Sequence, residues 1–249
     1  MIAIRTKEEI ANIRHACQIA AKILRQLGEY LHPGISTAEV DRKAAELLQG
    51  YGTESAFKGY GGFPANICTS INEEVVHGIP GKRILEDGDI IGLDVGTKIN
   101  GYFGDVACTI GVGEISQQAE KLLRVTEESL YKGIALALPG NHLFDISNAI
   151  QKYAESFNFA VVRKFVGHGI GSKLHEEPEI PNFGKAGIGP ILKAGMVLAI
   201  EPMVNEGTFD IEILPDQWTA VTKDRRLSAH FEHTICITEQ GPLILTTWE

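Results

Sequence analysis

Residues 88–110 read GDIIGLDVGTKINGYFGDVACTI. Apolar runs before Asp94 and after Asp105, joined by an Asn100-Gly101 pair typical of tight turns, predict a hairpin of two antiparallel strands. A turn centred on Ile99-Asn100 would place the two aspartates directly opposite each other, whereas a turn centred on Asn100-Gly101 would make them diagonal neighbours. Because either register puts both carboxylates on one face, both are within reach of one shared ion.

A second pair of segments repeats this outline with glutamates. Residues 195–201 read GMVLAIE and residues 230–237 read HFEHTICI, so Glu201 closes one apolar run and Glu232 opens the next. One pair of acids alone could be two solvated side chains on an exposed strand, and the matching second pair argues against that interpretation. Because burying an unpaired carboxylate is costly, four of them related by internal symmetry predict a cation site at the centre.

The repeat extends towards the N-terminal side of both segments. Pro33-Gly34 precedes a helix-like run at 36–49, and Pro139-Gly140 precedes a similar run at 144–157. With only two copies and a long period, this pattern indicates a duplicated domain and not a solenoid. We therefore expect a single catalytic domain, 1–249, with an internal pseudo-repeat of roughly 6–111 and 116–240.

Local patterns place the other elements. Capping signals and helical spacing predict helices that begin after Thr6, Ser36 and Ser116, the last of them running to Leu138. Apolar runs predict strands at 89–97, 102–111, 160–166, 196–203 and 233–238. The Gly/Pro-rich stretch 167–195 is expected to be a loop.

Composition restricts the class of function. A chain of 249 residues with 44% hydrophobic residues can bury the core of an enzyme-sized domain. A net charge of -9 and a pI near 5.4 argue against direct binding of nucleic acid or of an anionic membrane. The cysteines lack the close spacing of a zinc site, so we expect free thiols and a cytoplasmic location. They are Cys17, Cys68, Cys108 and Cys236.

Three histidines lie in glycine-rich settings that favour ligand binding. His77 and His168 each begin a His-Gly-Ile sequence, and His175 follows seven residues after His168. Glycine beside a histidine allows close approach of the backbone and open access to the ring. The other histidines show no comparable setting and are assigned structural or solvated roles: His15, His32, His142, His230 and His233.

Two aspartates, two glutamates and one histidine form an oxygen-rich ligand set without thiols. Such a set suits divalent ions, namely Co²⁺, Mn²⁺, Fe²⁺ or Zn²⁺. Because four carboxylates exceed what one ion needs, we expect two ions about 3.5–4 Å apart, bridged by carboxylates and a water. Aminopeptidases and other hydrolases use this arrangement, which lowers the pKa of the bridging water towards neutrality.

Residue types, order and spacing resemble those of type I methionine aminopeptidases over essentially the whole chain. The matching residues are His77, Asp94, Asp105, His168, His175, Glu201 and Glu232. The resemblance implies the pita-bread fold, an α/β (α+β) architecture of two pseudo-symmetric halves with an antiparallel sheet core and outer helices. It also implies a metalloaminopeptidase that removes the initiator methionine from nascent proteins when the second residue is small.

The resemblance implies a division of the five ligands between two metal ions. Asp94 would chelate one ion, and Asp105 and Glu232 would bridge both. His168 and Glu201 would complete the second ion.

Catalytic and substrate-binding roles follow from the same resemblance. His77 and His175 would lie outside the metal shell and contact the substrate and the developing oxyanion, while Glu201 would handle the proton of the bridging water. The methionine side chain would enter a pocket formed by Tyr60, Phe63, Cys68, His77 and Trp218. Phe63 replaces a tyrosine of many relatives and Leu174 replaces a phenylalanine, which affects the shape of the pocket and not the reaction.

Two alternatives use the same fold. An Xaa-Pro aminopeptidase or prolidase has similar ligands, although such enzymes usually carry a large additional N-terminal domain. A metal-free binding relative would have lost ligands that this chain retains. The expected partners are N-terminal methionyl peptides and nascent chains, with the ribosome as the place of encounter, and we expect a monomer that binds neither nucleic acid nor membrane.

Overall fold

Helices form the outer layer of the molecule. This computed structural model describes residues 2–247, and the α-helices in that range are α1 (Lys7–Tyr30), α2 (Thr37–Gly50), α3 (Gln117–Ile134) and α4 (Leu143–Ser156). A short 3₁₀-helix spans Tyr60–Gly62. Thr6 and Glu9 form a capping box at the start of α1, and Ser36 and Glu39 form another at the start of α2. The predicted N-terminal ends of these two helices are confirmed.

Helix α3 ends earlier than the sequence pattern predicts. It stops at Ile134, whereas the apolar spacing continues to Leu138. The amide of Leu136 donates to Gly133 and the amide of Ala137 donates to Ile134, so the chain has tightened into three-residue turns. Pro139 explains the change, because proline disfavours the α conformation in the residue before it.

An antiparallel sheet occupies the centre. In chain order, the strands of residues 2–247 are β1 (Glu54–Ser55), β2 (Cys68–Ile71), β3 (Glu74–Val76), β4 (Ile90–Ile99), β5 (Tyr102–Gly111), β6 (Ala160–Val161), β7 (Gly167–Gly169), β8 (Glu176–Ile180), β9 (Val197–Ile200), β10 (Met203–Asn205), β11 (Ile211–Ile213), β12 (Ala220–Thr222), β13 (Ser228–His230), β14 (Glu232–Thr238) and β15 (Gly241–Ile244). The central sheet runs β1-β4-β5-β14-β9-β7-β8, with β2 also paired to β4 and β15 to β14. Two small sheets, β13-β10-β6 and β11-β12-β3, flank it. The predicted α/β architecture with an antiparallel core is confirmed.

The hairpin β4–β5 settles the register that the sequence left open. Ile99 pairs with Tyr102, so the turn is Asn100-Gly101, and both turn residues have positive φ, 52° and 80°. This conformation suits asparagine followed by glycine in a two-residue hairpin turn. Asp94 therefore faces Ala107, and Asp105 lies diagonally from Asp94 on the same face.

Two expectations for the second half of the chain are wrong. The strand predicted at 160–166 covers only Ala160–Val161, and the predicted loop 167–195 contains β7 and β8. A Cβ at Gly167 would collide with the carbonyl oxygen of Ala199 on the neighbouring strand. Gly167 therefore allows two neighbouring strands to pack closely and does not indicate a loop.

Two large buried clusters pack helices against the central sheet. One cluster lies between α1, α2 and the strands β2, β4 and β5, and its members include Ile23, Leu27, Val40, Ile91 and Leu93. The other lies between α3, α4 and the strands β9 and β14, and its members include Leu122, Leu130, Ile146, Leu198 and Ile235. Strand β14 pairs with β5 and so connects the strands beside both clusters in one sheet.

The start of the second helix in each half is held in a similar way. Ser36, which caps α2, forms an isolated bridge with Ile84, and His142, which caps α4, forms one with Ile191. The two bridges occupy corresponding places in the sequence repeat, and each ties a helix start to the chain that leads into a sheet strand. Among residues 2–247, no helix is long and apolar enough to cross a membrane.

Candidate metal centre and active site

Four acidic side chains converge on the inner face of the central sheet. Asp94 lies on β4 and Asp105 on β5, while Glu232 opens β14 and pairs with Ala107. Glu201 follows directly after the last residue of β9. The two hairpin aspartates and the two glutamates of the repeat are thus brought to one place by the pairing of β5 with β14 and of β14 with β9.

His168 on β7 completes this cluster. Its Nε2 lies 3.5 Å from Oε1 of Glu201 and 3.9 Å from Oδ2 of Asp105. Ligand atoms of Asp105, His168 and Glu232 all lie within 4.8 Å of one another. This is a spacing that one or more metal ions can bridge.

The electrostatics of the cluster favour a bound cation. Burial raises the pKa of Asp105 to about 7, and burial together with the charge of Asp105 raises the pKa values of Asp94, Glu201 and Glu232 well above their ordinary range. In residues 2–247, no lysine or arginine forms an ion pair with any of the four. Oδ1 of Asp94 and Oε1 of Glu232 are buried with no hydrogen-bond partner in the same range. A bound divalent ion would compensate these charges and satisfy these oxygens.

The tautomer of His168 points to the same conclusion. Its Nδ1 lies 2.9 Å from the carbonyl oxygen of Gly169, and a carbonyl can only accept, so Nδ1 carries the proton. Burial lowers the pKa of His168 to about 3, which leaves the ring neutral with a lone pair on Nε2. That lone pair faces carboxylate oxygens of Asp105 and Glu201, an arrangement that is repulsive unless a metal ion or a proton lies between them.

Two further imidazoles lie beside the cluster. The ring of His175 is 4.3 Å from that of His168, and its Nδ1 lies 2.7 Å from the hydroxyl of Tyr60. The ring of His77 packs edge-on against Phe165 at 5.1 Å and against Trp218 at 6.2 Å. Burial lowers the pKa of His77 to about 4, so this ring is neutral near pH 7.

The backbone of His77 is unusual for a residue with a side chain. Its φ of 61° lies in the left-handed region. The following Gly78 allows this turn to press on β2, because a Cβ there would collide with the carbonyl oxygen of Thr69. The strained turn aims the ring of His77 at the cavity.

One cavity of about 110 Å³ adjoins all of these groups. Its walls contain every site residue predicted from the sequence: Tyr60, Phe63, Cys68, His77, Asp94, Asp105, His168, His175, Glu201, Trp218 and Glu232. Phe57 and Leu174 also contribute. The rings of Phe63 and Trp218 meet edge to face at 5.1 Å and form an apolar end next to the acidic one.

The structure places one more histidine beside the cluster than the sequence predicts. A structural or solvated role is expected for His230, but its Nε2 lies 3.6 Å from Oε2 of Glu201 and the residue is only 4% exposed. The signal was its position two residues before Glu232, a spacing that puts alternate side chains on one face of an extended chain. By contrast, His142 caps α4, and His233 contacts Tyr131 outside the cavity.

Comparison with known proteins agrees with this geometry. A sequence model described as metallopeptidase family M24 matches residues 11–239. Methionine aminopeptidase 1 of Bacillus subtilis is 54% identical to this chain over 246 residues, which cover 99% of each chain. The crystal structure of methionine aminopeptidase from Thermotoga maritima superposes with a TM-score of 0.98 at 46% identity, over 99% of this chain and 100% of that one.

A relative of different specificity shares the fold less completely. The prolidase from Pyrococcus furiosus gives a TM-score of 0.80 at 26% identity, and the match covers 99% of this chain but only 66% of the prolidase. Both the higher identity and the match over full length favour the methionine aminopeptidases over the proline-specific enzymes. The chain belongs to metallopeptidase family M24 and, within it, to the methionine aminopeptidases.

Proposed function

We propose that residues 1–249 form a single catalytic domain that hydrolyses the bond after an N-terminal methionine when the next residue is small. The observation that carries the proposal is the shared cavity, in which five metal-type ligands adjoin neutral imidazoles and an apolar end. A metal-activated water would attack the first peptide carbonyl, and the apolar end would hold the side chain before it.

The five ligands would hold two divalent ions. Asp94 would bind one ion, Asp105 and Glu232 would bind both, and His168 with Glu201 would complete the second. Bound ions would lower the pKa of a shared water and polarise the carbonyl of the substrate. The neutral Nε2 of His168 and the orphaned oxygens of Asp94 and Glu232 support this assignment. Mn²⁺, Fe²⁺, Co²⁺ and Zn²⁺ all suit the ligand set.

Protein side chains would handle protons and orientation. Glu201 has a raised pKa, caused by burial and by the charge of Asp105, and would accept a proton from the attacking water and pass it to the leaving amine. The hydroxyl of Tyr60 can donate to Nδ1 of His175, which leaves Nε2–H of that ring free to donate to the substrate carbonyl. His77, also neutral, would make a second polar contact to the reacting peptide.

The apolar end would select methionine. Phe63 and Trp218 form its aromatic walls, and Cys68 and Tyr60 line it as well. An unbranched, polarisable thioether fits such walls and gains favourable contacts with aromatic rings. The small volume of the cavity, about 110 Å³, leaves little room for a bulky second residue.

Peptide hydrolysis after metal titration tests this function. We expect the metal-loaded protein to cleave Met-Gly-Met and Met-Ala peptides, to cleave Met-Leu and Met-Lys peptides poorly, and to be inactive without metal. Comparable kcat/KM for small and bulky second residues would refute the size rule. Preferential cleavage of an Xaa-Pro peptide would instead assign the prolidase-like specificity.

Location and partners are part of the same proposal. We infer a monomer that acts in the cytoplasm on methionyl peptides and on nascent chains as they emerge from the ribosome. The four free cysteines support a reducing compartment. Light scattering in solution and cosedimentation with ribosomes that carry nascent chains would test the monomer and the encounter.

A further inference from the structure

His230 is held firmly at the edge of the metal cluster. Its backbone amide donates to Oγ1 of Thr109 at 2.8 Å, and the hydroxyl of Thr109 donates back to the carbonyl of His230 at 3.0 Å. On its other side, His230 pairs with Met203 in the small sheet β13-β10-β6. The backbone is thus fixed from two directions, which limits where the ring can go.

The ring of His230 approaches one oxygen of Glu201, and His168 approaches the other. Nε2 of His230 lies 3.6 Å from Oε2, while Nε2 of His168 lies 3.5 Å from Oε1. The carboxylate is therefore bracketed by two imidazoles. Within residues 2–247, Nε2 of His230 is buried without a hydrogen-bond partner, and Oε2 of Glu201 lies close to it but beyond hydrogen-bond distance.

The two imidazoles cannot play the same part. Nε2 of His168 carries a lone pair, because its Nδ1 donates to the carbonyl of Gly169. His168 could therefore bind a metal ion together with Oε1 of Glu201. A neutral His230 with its proton on Nε2 offers a donor to Oε2, the oxygen that faces away from His168.

We propose that His230 is a positioning residue for Glu201, whose carboxylate it holds by an Nε2–H···Oε2 hydrogen bond so that Oε1 is presented to the metal. This inference rests on the proposed function, in which Glu201 is both a ligand and a proton carrier. A donor behind a ligating carboxylate fixes its orientation, and loss of such a partner typically costs about 10–100-fold in metal affinity or activity.

The separation of 3.6 Å is one that a small rotation of the Glu201 side chain would close, because an N–H···O hydrogen bond spans about 2.7–3.2 Å. Glu201 lines the cavity, whereas the backbone of His230 is held by Thr109 and Met203.

Three variants test the inference. His230→Leu removes the donor, His230→Gln keeps an N–H donor of similar reach, and His233→Gln is the matched control, since its ring contacts Tyr131 and Thr246 instead of the cluster. For each we would titrate the metal-free protein with Mn²⁺ by calorimetry, measure kcat and KM on Met-Gly-Met, and check the fold by circular dichroism and thermal melting.

We expect H230L to weaken Mn²⁺ binding or to lower kcat by about 10–100-fold with little change in KM, and H230Q to stay within about threefold of the parent. H233Q should match the parent. If H230L does not fold, His230→Asn, whose amide is too short to reach Glu201, replaces it with the same expectation. Unchanged Mn²⁺ affinity and kcat in a folded H230L or H230N would overturn the inference.

The same experiment separates this inference from the proposed function. A parent protein that neither binds Mn²⁺ nor cleaves Met-Gly-Met would overturn the proposed function and the inference with it. A working parent beside an unaffected His230 variant would overturn the inference alone.

Discussion

The two His-Gly-Ile segments of this chain have the same sequence and different structures. His77 lies in a left-handed turn with a φ of 61°, and its ring packs against aromatic side chains. His168 lies in strand β7, and its ring faces two carboxylates. The difference shows that the secondary structure around the motif decides whether its histidine joins the acidic cluster or the apolar side of the cavity.

The contacts of the two rings also suit them to different chemical roles. The bond from Nδ1 of His168 to Gly169 fixes a tautomer suited to bind a metal. For His77, aromatic packing restrains the ring, and we propose that its nitrogens contact the substrate. We therefore expect variants of the acidic cluster to lose metal and variants on the His77 side to keep it.

The largest effect should come from removing Asp105, one of the two carboxylates proposed to bind both ions. Asp105→Ala should lower Mn²⁺ content and reduce kcat/KM by at least about 10³-fold, because activity depends on the ions that the cluster holds. Metal analysis of the purified protein and assays on Met-Gly-Met would measure both. Thermal melting would confirm that the variant is folded, and a folded D105A with its metal intact would remove Asp105 from the ligand set.

Replacing His77 should cause a smaller loss of activity and should leave the metal bound. His77→Ala should keep the Mn²⁺ content of the parent, while kcat falls by about 10²–10³-fold, as for loss of one donor to an oxyanion. The two variants would look similar in an activity assay and different in metal analysis. If H77A is folded but metal-free after purification under conditions that load the parent with metal, His77 is needed for metal binding and the proposed difference from His168 is wrong.

The pH dependence of metal binding should follow the acidic cluster. Burial raises the pKa of Asp105 to about 7 and, together with the neighbouring acids, raises the pKa values of Asp94, Glu201 and Glu232 well above their ordinary range, so a binding metal must displace protons. Affinity for Mn²⁺ should therefore rise between pH 6 and 8, by up to about tenfold per pH unit for each proton displaced. His168, whose pKa burial lowers to about 3, adds no proton in this range.

Calorimetry in buffers of different ionisation enthalpy would count the protons released on metal binding. H77A should show the same pH slope as the parent, since the ring of His77 is not among the proposed ligands. An affinity independent of pH from 6 to 8 would mean that the carboxylates are already ionised and compensated without metal.

The smallest effect concerns the orientation of His175. Tyr60→Phe removes the hydroxyl that lies 2.7 Å from Nδ1 of His175 and leaves the ring of the pocket wall. A hydrogen bond of this kind contributes about 1 kcal/mol, so kcat should fall about fivefold, with metal content unchanged. A larger change in KM for methionine than in kcat would assign Tyr60 to the pocket and not to His175.

The parts of the fold that could be predicted from the sequence are those determined by short local motifs. Capping boxes at Thr6 and Ser36 fixed two helix starts, and the Asn100-Gly101 turn fixed the hairpin that carries Asp94 and Asp105. The choice between two turn registers needed the structure, because both satisfy the alternation of apolar residues. The strands around His168 were missed, since glycines that let strands approach closely have the same sequence signature as a loop.

The candidate site was predicted in composition but not in detail. Acids at the ends of apolar runs indicated the cation site, because such positions are costly without compensation. The spacing of His230 from Glu232 was a weaker signal, since the environment of His230 depends on Glu201, which is distant in sequence and comes close through the contacts of β13 with β10. A local sequence pattern cannot predict contacts between segments that are distant in the chain.

An anomalous-scattering map of crystals grown with Mn²⁺ would test the contrast between the two histidine segments most directly. We predict two peaks among Asp94, Asp105, His168, Glu201 and Glu232, with Nε2 of His168 about 2.0–2.2 Å from one of them and both nitrogens of His77 outside bonding distance. A peak bonded to His77, or no peak beside His168, would contradict the account.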